Sequence, residues 1–242
     1  ALLVKRATAL FEATAGRDVQ VGVTTTDMGN PRCTGPVGTP ELGALVRSSC
    51  VDRVELGEFT FNMSTYGFAC TDACGLKDAE LAVKPTATAV DPELKPRPWI
   101  ERIGGVSNLP DGVSLTQAFQ CFAPQGVAGC GLESPLEAAR AALTASSDPA
   151  SPQHGFLRDD ADLVVVLVTD EMDCSYAPAG ADIFTTNKVY WNDPNDVGPT
   201  SAVCFRAGAQ CVGAGPVYES CAAIDKDAAG GVTMDPALAV LR

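Results

Sequence analysis

The sequence predicts an α/β domain with a Rossmann-like, doubly wound and mostly parallel sheet that carries long disulfide-pinned loop insertions. Residues 163–168 form an unbroken run of aliphatic side chains, which is typical of a strand buried on both faces. Apolar periodicity then gives the order helix, strand, helix, helix, strand along the chain, as in a sheet covered by helices. Long irregular stretches between these elements contain most of the ten cysteines, and disulfides could hold such stretches in place.

The first elements are a helix and a strand. Residues 1–15 place their apolar side chains on one helical face, and Gly16 follows as a C-terminal cap. Residues 19–24 are rich in β-formers and predict a strand. Residues 29–98 follow as a cysteine- and proline-rich insertion with one short strand predicted at 59–63. The four prolines of residues 84–98 predict an extended path over the surface.

Two capped helices come next. Ser114 and Gln117 stand at the spacing of a capping box, and Ser134 with Glu137 repeats it with Pro135 at the first helical position. The predicted buried strand at 163–169 leads into a second insertion, the cysteine-rich loop 171–234. Asp235 and Pro236 then predict a helix start that reaches less than two turns. We therefore expect residues 1–242 to be one domain, truncated at both ends.

The net charge argues against two classes of partner. Seventeen basic and thirty acidic residues give 17 − 30 = −13. Such a surface repels nucleic acid phosphates and anionic lipids, so we expect neither as a partner. No apolar run approaches the roughly 18–20 residues that cross a bilayer, and no transmembrane segment is expected.

The cysteines indicate an oxidising compartment. An even number in mostly loop-like sequence predicts disulfides and an extracytoplasmic location, whether periplasmic, outer-membrane-anchored or secreted. A zinc or iron–sulfur site is the alternative, but only Cys70 and Cys74 are closely spaced. The local pairings we predict are Cys70–Cys74 or Cys50–Cys70, Cys121–Cys130, and two pairs among the last four cysteines. The ten are Cys33, Cys50, Cys70, Cys74, Cys121, Cys130, Cys174, Cys204, Cys211 and Cys221.

Three carboxylates are candidate metal ligands. Asp27 and Asp170 each follow a predicted strand, and Glu133 lies just before the helix that starts at Ser134. Ligands of open α/β sheets collect beyond the carboxyl ends of the strands, and carboxylate oxygens suit Mg²⁺ or Ca²⁺. The alternative is structural: each aspartate caps a turn, and Glu133 is a solvated charge near a helix N-terminus.

The same segments carry a family resemblance. The runs VGVTTTDMG, FQCFAPQGVAGCGLESPLEAARAAL and FLRDDADLVVVLVTDEMDCS resemble von Willebrand factor A-type domains, in particular cysteine-rich versions in exported proteins and lipoproteins of myxobacteria and related bacteria. The resemblance implies a metal-ion-dependent adhesion site. Asp170 matches its third loop, and Glu133 stands where a threonine is usual. The opening strand with its Asp-x-Ser-x-Ser loop is missing, so the site would be incomplete and Mg²⁺ or Ca²⁺ could be absent from this chain.

These observations favour binding over catalysis. We expect a protein-binding or adhesion module with a protein partner at the cell surface. A metal-free structural component, assembled there with other chains, is the alternative, and an exported hydrolase is the third. No catalytic residue is predicted: the chain has no Gly-x-Ser-x-Gly or Cys-x-x-Cys motif, and His154 lies in a polar loop.

Overall fold

A computed structural model describes residues 4, 7–33, 39–213, 215 and 217–241. The chain divides into two compact units. Unit 1 comprises Ala1–Thr25, Glu41–Ala128 and Ala139–Val165, and unit 2 comprises Thr26–Pro40, Gly129–Ala138 and Val166–Arg242.

The predicted Rossmann-like, doubly wound parallel sheet is wrong. Helices make up 25% of the chain and strands 12%, and the strands of the described residues form only small antiparallel sheets. The α-helices are α1 Ala7–Ala13, α2 Cys50–Glu55, α3 Phe68–Thr71, α4 Leu115–Phe122, α5 Pro135–Ser146 and α6 Ala202–Gly208. The strands are β1 Val19–Val21, β2 Thr60–Phe61, β3 Ser64–Thr65, β4 Ile100–Ile103, β5 Val106–Ser107, β6 Ala209–Val212 and β7 Ser220–Ala223. Short 3₁₀ helices lie at Asp78–Glu80, Pro178–Phe184 and Lys188–Tyr190.

The sheet of unit 1 explains part of the error. Its order is β1-β4-β5, and both pairings are antiparallel, with Val21 opposite Ile100 and Arg102 opposite Ser107. The strand predicted at 19–24 is therefore real but shorter, and it pairs with the strand at Ile100–Ile103, where no element was predicted. Hydrophobic periodicity marks a strand but does not identify the strand beside it.

The helix predictions fare better than the sheet. In α4, Ser114 Oγ accepts from the Gln117 amide at 3.2 Å and Gln117 Oε1 accepts from the Ser114 amide at 3.0 Å, which confirms the capping box. The first predicted helix is present as α1, while residues 1–3 and 5–6 lie outside the described part. The helix predicted from Asp235 is instead a turn, in which the Asp235 carboxylate accepts from the Ala237 amide at 2.9 Å.

The core of unit 1 is built on α1, α4 and two disulfides. Phe11 and Phe119 pack edge to face with ring centroids 5.7 Å apart. The Cys50–Cys70 and Cys74–Cys121 disulfides are buried in the same apolar cluster as Leu81, Ile100, Leu109 and Leu115. The cysteine-rich stretch that the sequence predicted as an insertion thus supplies part of this core.

Residues 84–98 do not run extended over the surface as predicted. Thr86 pairs with Lys95, so the segment turns back on itself. The side chain of Arg97 is fully buried inside this turn, where it donates to the Thr86, Asp91 and Glu93 carbonyls and to the Asp91 carboxylate. A buried guanidinium with this many acceptors fixes the turn, because leaving any of its N–H groups unpaired would be costly.

Unit 2 has its own core and hairpin. Ile183, Phe184, Trp191 and Val203 are almost completely buried around the Cys174–Cys204 disulfide. The antiparallel hairpin β6–β7 places its two cysteines directly opposite each other, and the Cys211–Cys221 disulfide joins them.

The five disulfides decide several predictions. Of the two pairings predicted for Cys70, the one with Cys50 is present. The last four cysteines form two pairs among themselves, as predicted, namely Cys174–Cys204 and Cys211–Cys221. The predicted Cys121–Cys130 pair is wrong, because Cys121 bonds Cys74 and Cys130 bonds Cys33. The disulfides indicate an oxidising, extracytoplasmic environment. None of the helices in the described residues is both long enough and apolar enough to cross a bilayer.

The strand predicted at 163–169 is also wrong. These residues belong to no helix or strand, and all of their side chains are exposed. A strand that is buried on both faces lies inside a sheet, paired with a strand at each edge. In the described part of the chain, no strand pairs with residues 163–169.

Candidate functional site

The three loops predicted to carry metal ligands come together in unit 2. They are residues 26–33, 129–134 and 169–175. The Ser134 amide donates to the Thr26 carbonyl at 2.9 Å, which joins the first loop to the second. The Cys174 amide donates to the Glu133 carbonyl at 2.7 Å, which joins the second to the third. These two hydrogen bonds, and not the predicted parallel sheet, join the three loops.

The Asp27 carboxylate joins two of these loops by hydrogen bonds. Its Oδ1 accepts from the Gly29 amide at 2.9 Å, the Asx turn expected of an aspartate in this position, and its Oδ2 accepts from the Cys130 amide at 3.1 Å. The Cys33–Cys130 disulfide fastens the same two loops covalently. These contacts match the structural alternative that we gave for Asp27.

Glu133 takes part in this hydrogen-bond network, and Asp170 does not. Glu133 Oε2 accepts from the Thr169 hydroxyl at 3.0 Å, and the same hydroxyl accepts from the Glu171 amide at 3.1 Å. Asp170 is exposed and makes no hydrogen bond or ion pair within the described part of the chain. The Thr169 contact therefore places Glu133 against the residue that precedes Asp170.

A metal centre is not formed by the residues that the structure describes. Among them, no three His, Cys, Asp or Glu side chains make a group that could hold an ion. The structure thus brings together the loops of Asp27, Glu133 and Asp170 without bringing their carboxylates into one such group. Metal binding by these residues stays a prediction.

Two acceptors at the start of α5 are not among the predicted site residues. Asp173 Oδ1 accepts from the Leu136 amide at 3.0 Å, and Ser175 Oγ accepts from the Glu137 amide at 2.9 Å. Asp173 also accepts from the amide and the hydroxyl of Ser175, which fixes both side chains. The Asp-x-Ser pattern of residues 173–175 is a common local turn and could have indicated this.

Tyr176 continues this loop into the core of unit 2. Its ring packs edge to face on Phe184 at 5.2 Å, and its backbone pairs with Leu241. Burial, and secondly the negative charge of Glu137, raise the pKa of the Tyr176 phenol above its usual value. The phenol therefore stays protonated and neutral at any physiological pH.

A second candidate site is the aliphatic segment, which comprises residues 163–168. Its exposure alternates along the chain: Leu163, Val165 and Leu167 are 47–51% exposed, while Val164, Val166 and Val168 are 62–76% exposed. A two-residue period is the geometry of an extended strand, in which successive side chains point to opposite sides. Within the described part of the chain, none of these residues makes a backbone hydrogen bond.

Three comparisons with known proteins found no match. No family model matches the chain, and neither the curated proteins nor the solved structures gave a match.

Proposed function

We propose that this chain is an extracytoplasmic protein-binding module, periplasmic, outer-membrane-anchored or secreted, and that the aliphatic segment is its binding element. The segment would bind by adding a strand of a partner protein to its free backbone groups. The observation that carries this proposal is the combination, in residues 163–168, of exposed aliphatic side chains with unpaired backbone N–H and C=O groups.

The energy available at this segment is considerable. Full burial of a Val or Leu side chain contributes roughly 1.5–3 kcal/mol, and about half to three quarters of each of these six side chains is still in water. Burial by a partner would thus contribute on the order of 1 kcal/mol for each side chain. Large exposed apolar patches on soluble proteins are typical of interaction sites.

The backbone supports the same conclusion. A row of unpaired N–H and C=O groups is a template for an incoming strand, and peptide recognition by strand addition uses such a row. Valine favours the extended conformation because its branched β-carbon restricts χ1, so little ordering is needed on binding. Main-chain pairing would give affinity, and the alternating side chains would give specificity.

Selection of displayed random peptides tests this proposal directly. The intact protein should enrich peptides with alternating β-branched or aromatic residues, because these pair best with a valine-rich strand. The variant Val164→Asp/Val166→Asp/Val168→Asp should lose this enrichment. The control Val197→Asp/Val217→Asp/Val232→Asp adds the same charge at other exposed valines and should retain it. Failure to enrich strand-like peptides, or equal enrichment by both variants, would refute the proposal.

A second candidate function is metal-dependent adhesion. The contact between Glu133 and Thr169 favours it, because it places one predicted ligand beside the residue that precedes Asp170. Calorimetric titration of Ca²⁺ and of Mg²⁺ tests it. Saturable binding that is weakened at least about tenfold by Asp170→Asn would support it, since removal of a carboxylate ligand weakens hard-cation binding. No binding, or binding that is unchanged in Asp170→Asn, would contradict it.

A further inference from the structure

The aliphatic segment has acidic residues at both of its ends. Three aspartates precede it and two acidic residues follow it directly, all of them exposed. They are Asp159, Asp160, Asp162, Asp170 and Glu171. None of the five forms an ion pair within the described part of the chain, so their charges remain available to a partner.

From this arrangement we infer the chemistry of the partner, an inference that rests on the proposed function. The partner is a protein strand of β-branched or aromatic residues with Lys or Arg at both of its ends. Its apolar part covers the aliphatic segment, and its basic ends lie beside the acidic residues. Complementary charges of this kind fix the register of pairing and speed association.

The same charges disfavour a second copy of this chain as the occupant. In an antiparallel pairing of two aliphatic segments, Leu163 of one copy stands opposite Val168 of the other, and Asp160 then stands opposite Glu171. In a parallel, in-register pairing, each aspartate faces its own equivalent. Like charges directly opposite each other destabilise a strand pair, so both self-pairings are disfavoured. The acidic ends thereby reduce self-association of an exposed apolar segment that would otherwise be prone to aggregate.

Four blocked synthetic peptides test the inference on the intact chain. The first three share the core Thr-Val-Thr-Val-Thr-Val and carry two Lys, two Glu or two Ser residues at each end. The fourth keeps the Lys ends but has Pro at alternate core positions, which removes N–H donors and prevents strand pairing. Binding is measured by calorimetry, and amide hydrogen exchange reports protection of residues 163–168.

The Lys-ended peptide should bind at least about tenfold more tightly than the Glu-ended peptide at low salt, and this ratio should shrink near 1 M salt because exposed charges are screened. It should also protect the amides of residues 163–168. Removing three of the five flanking charges with Asp160→Asn/Asp162→Asn/Glu171→Gln should reduce the preference markedly. The matched exposed set Glu12→Gln/Glu219→Gln/Asp225→Asn should leave it unchanged.

Three results would overturn the inference. Equal binding of the Lys-, Glu- and Ser-ended peptides would remove the charge requirement while leaving strand pairing, and hence the proposed function, intact. Equal binding of the Pro-containing peptide would show attraction by charge alone, without strand pairing. Concentration-dependent dimerisation that is abolished by Val164→Asp/Val166→Asp/Val168→Asp would make a second copy the occupant.

Discussion

The Asp173 carboxylate accepts a hydrogen bond from the Leu136 amide at 3.0 Å and so caps helix α5 from a loop far along the chain. The next amide, that of Glu137, donates to Ser175 at 2.9 Å. The sequence assigned the Glu137 amide to Ser134 as part of a local capping box. The observed acceptors instead tie the 169–175 loop to the start of α5.

Removal of the Asp173 carboxylate should therefore destabilise the protein. Asp173→Ala should lower the free energy of unfolding by about 1–2 kcal/mol, the range for loss of a helix N-cap acceptor. Asp170→Ala, which changes an exposed side chain in the same loop, is the control and should change it by less than about 0.5 kcal/mol. Urea denaturation of both variants is the measurement, and equal values would contradict the capping role.

The disulfides of unit 2 should contribute according to the length of the loop each one closes. Cys33–Cys130 spans 97 residues and Cys211–Cys221 spans 10. The Cys50–Cys70 and Cys74–Cys121 disulfides lie inside the long loop and shorten it in the unfolded chain to about 30 residues, so on the chain-entropy account it contributes roughly 3–4 kcal/mol and the short loop about 2–3 kcal/mol. Chemical denaturation of Cys33→Ser/Cys130→Ser and of Cys211→Ser/Cys221→Ser should reproduce this order. The reverse order would argue against these pairings or against the entropic account.

The β2–β3 hairpin carries a conformational cost at its tip. Asn62 and Met63 both have positive φ, at 47° and 61°, and Met63 is fully exposed. Two-residue hairpin turns of this kind favour Asn-Gly, because glycine adopts positive φ without steric strain. Met63→Gly should therefore raise the thermal midpoint, with a gain on the order of 0.5–1 kcal/mol. Met63→Ala, which also removes the long side chain but keeps the β-carbon, should give no such gain; an equal gain would assign the effect to the side chain.

Acid should weaken the turn closed by Arg97. Hydrogen bonds from Lys95 and then from Arg97 hold the pKa of Asp91 well below its usual value of 3.8. A carboxylate whose pKa is lowered by folding contributes stability that is complete above the unfolded value and lost as the pH falls below it. The free energy of unfolding should thus decline below about pH 4, and Asp91→Asn should flatten this decline. Asp225→Asn is the exposed control, and a slope shared by Asp91→Asn and the unmodified protein would rule out Asp91 as the cause.

Some local signals in the sequence predicted local structure correctly. Helix α4 was predictable because the capping pair Ser114 and Gln117 are neighbours in sequence, and periodicity marked β1. The loops of Asp27, Glu133 and Asp170 are joined by backbone hydrogen bonds, but the parallel sheet from which we expected their convergence is not formed by the described residues.

The pairing of strands and of cysteines that are far apart in the chain could not be predicted from the sequence. Nothing in residues 19–21 specifies an antiparallel partner at 100–102, and nothing in residue 121 specifies residue 74 as its disulfide partner. The aliphatic segment is the clearest case. Its composition predicts a buried strand, but burial depends on neighbours that composition does not name.

Residue-resolved amide hydrogen exchange of the isolated protein tests the central claim most directly, because the claim is that the backbone of residues 163–168 is unpaired until a partner binds. Their amides should exchange close to the rates of an unstructured peptide, while those of α4 are strongly protected. Protection of residues 163–168 comparable to that of α4 would show that the segment is already paired within the isolated protein, and would contradict the account.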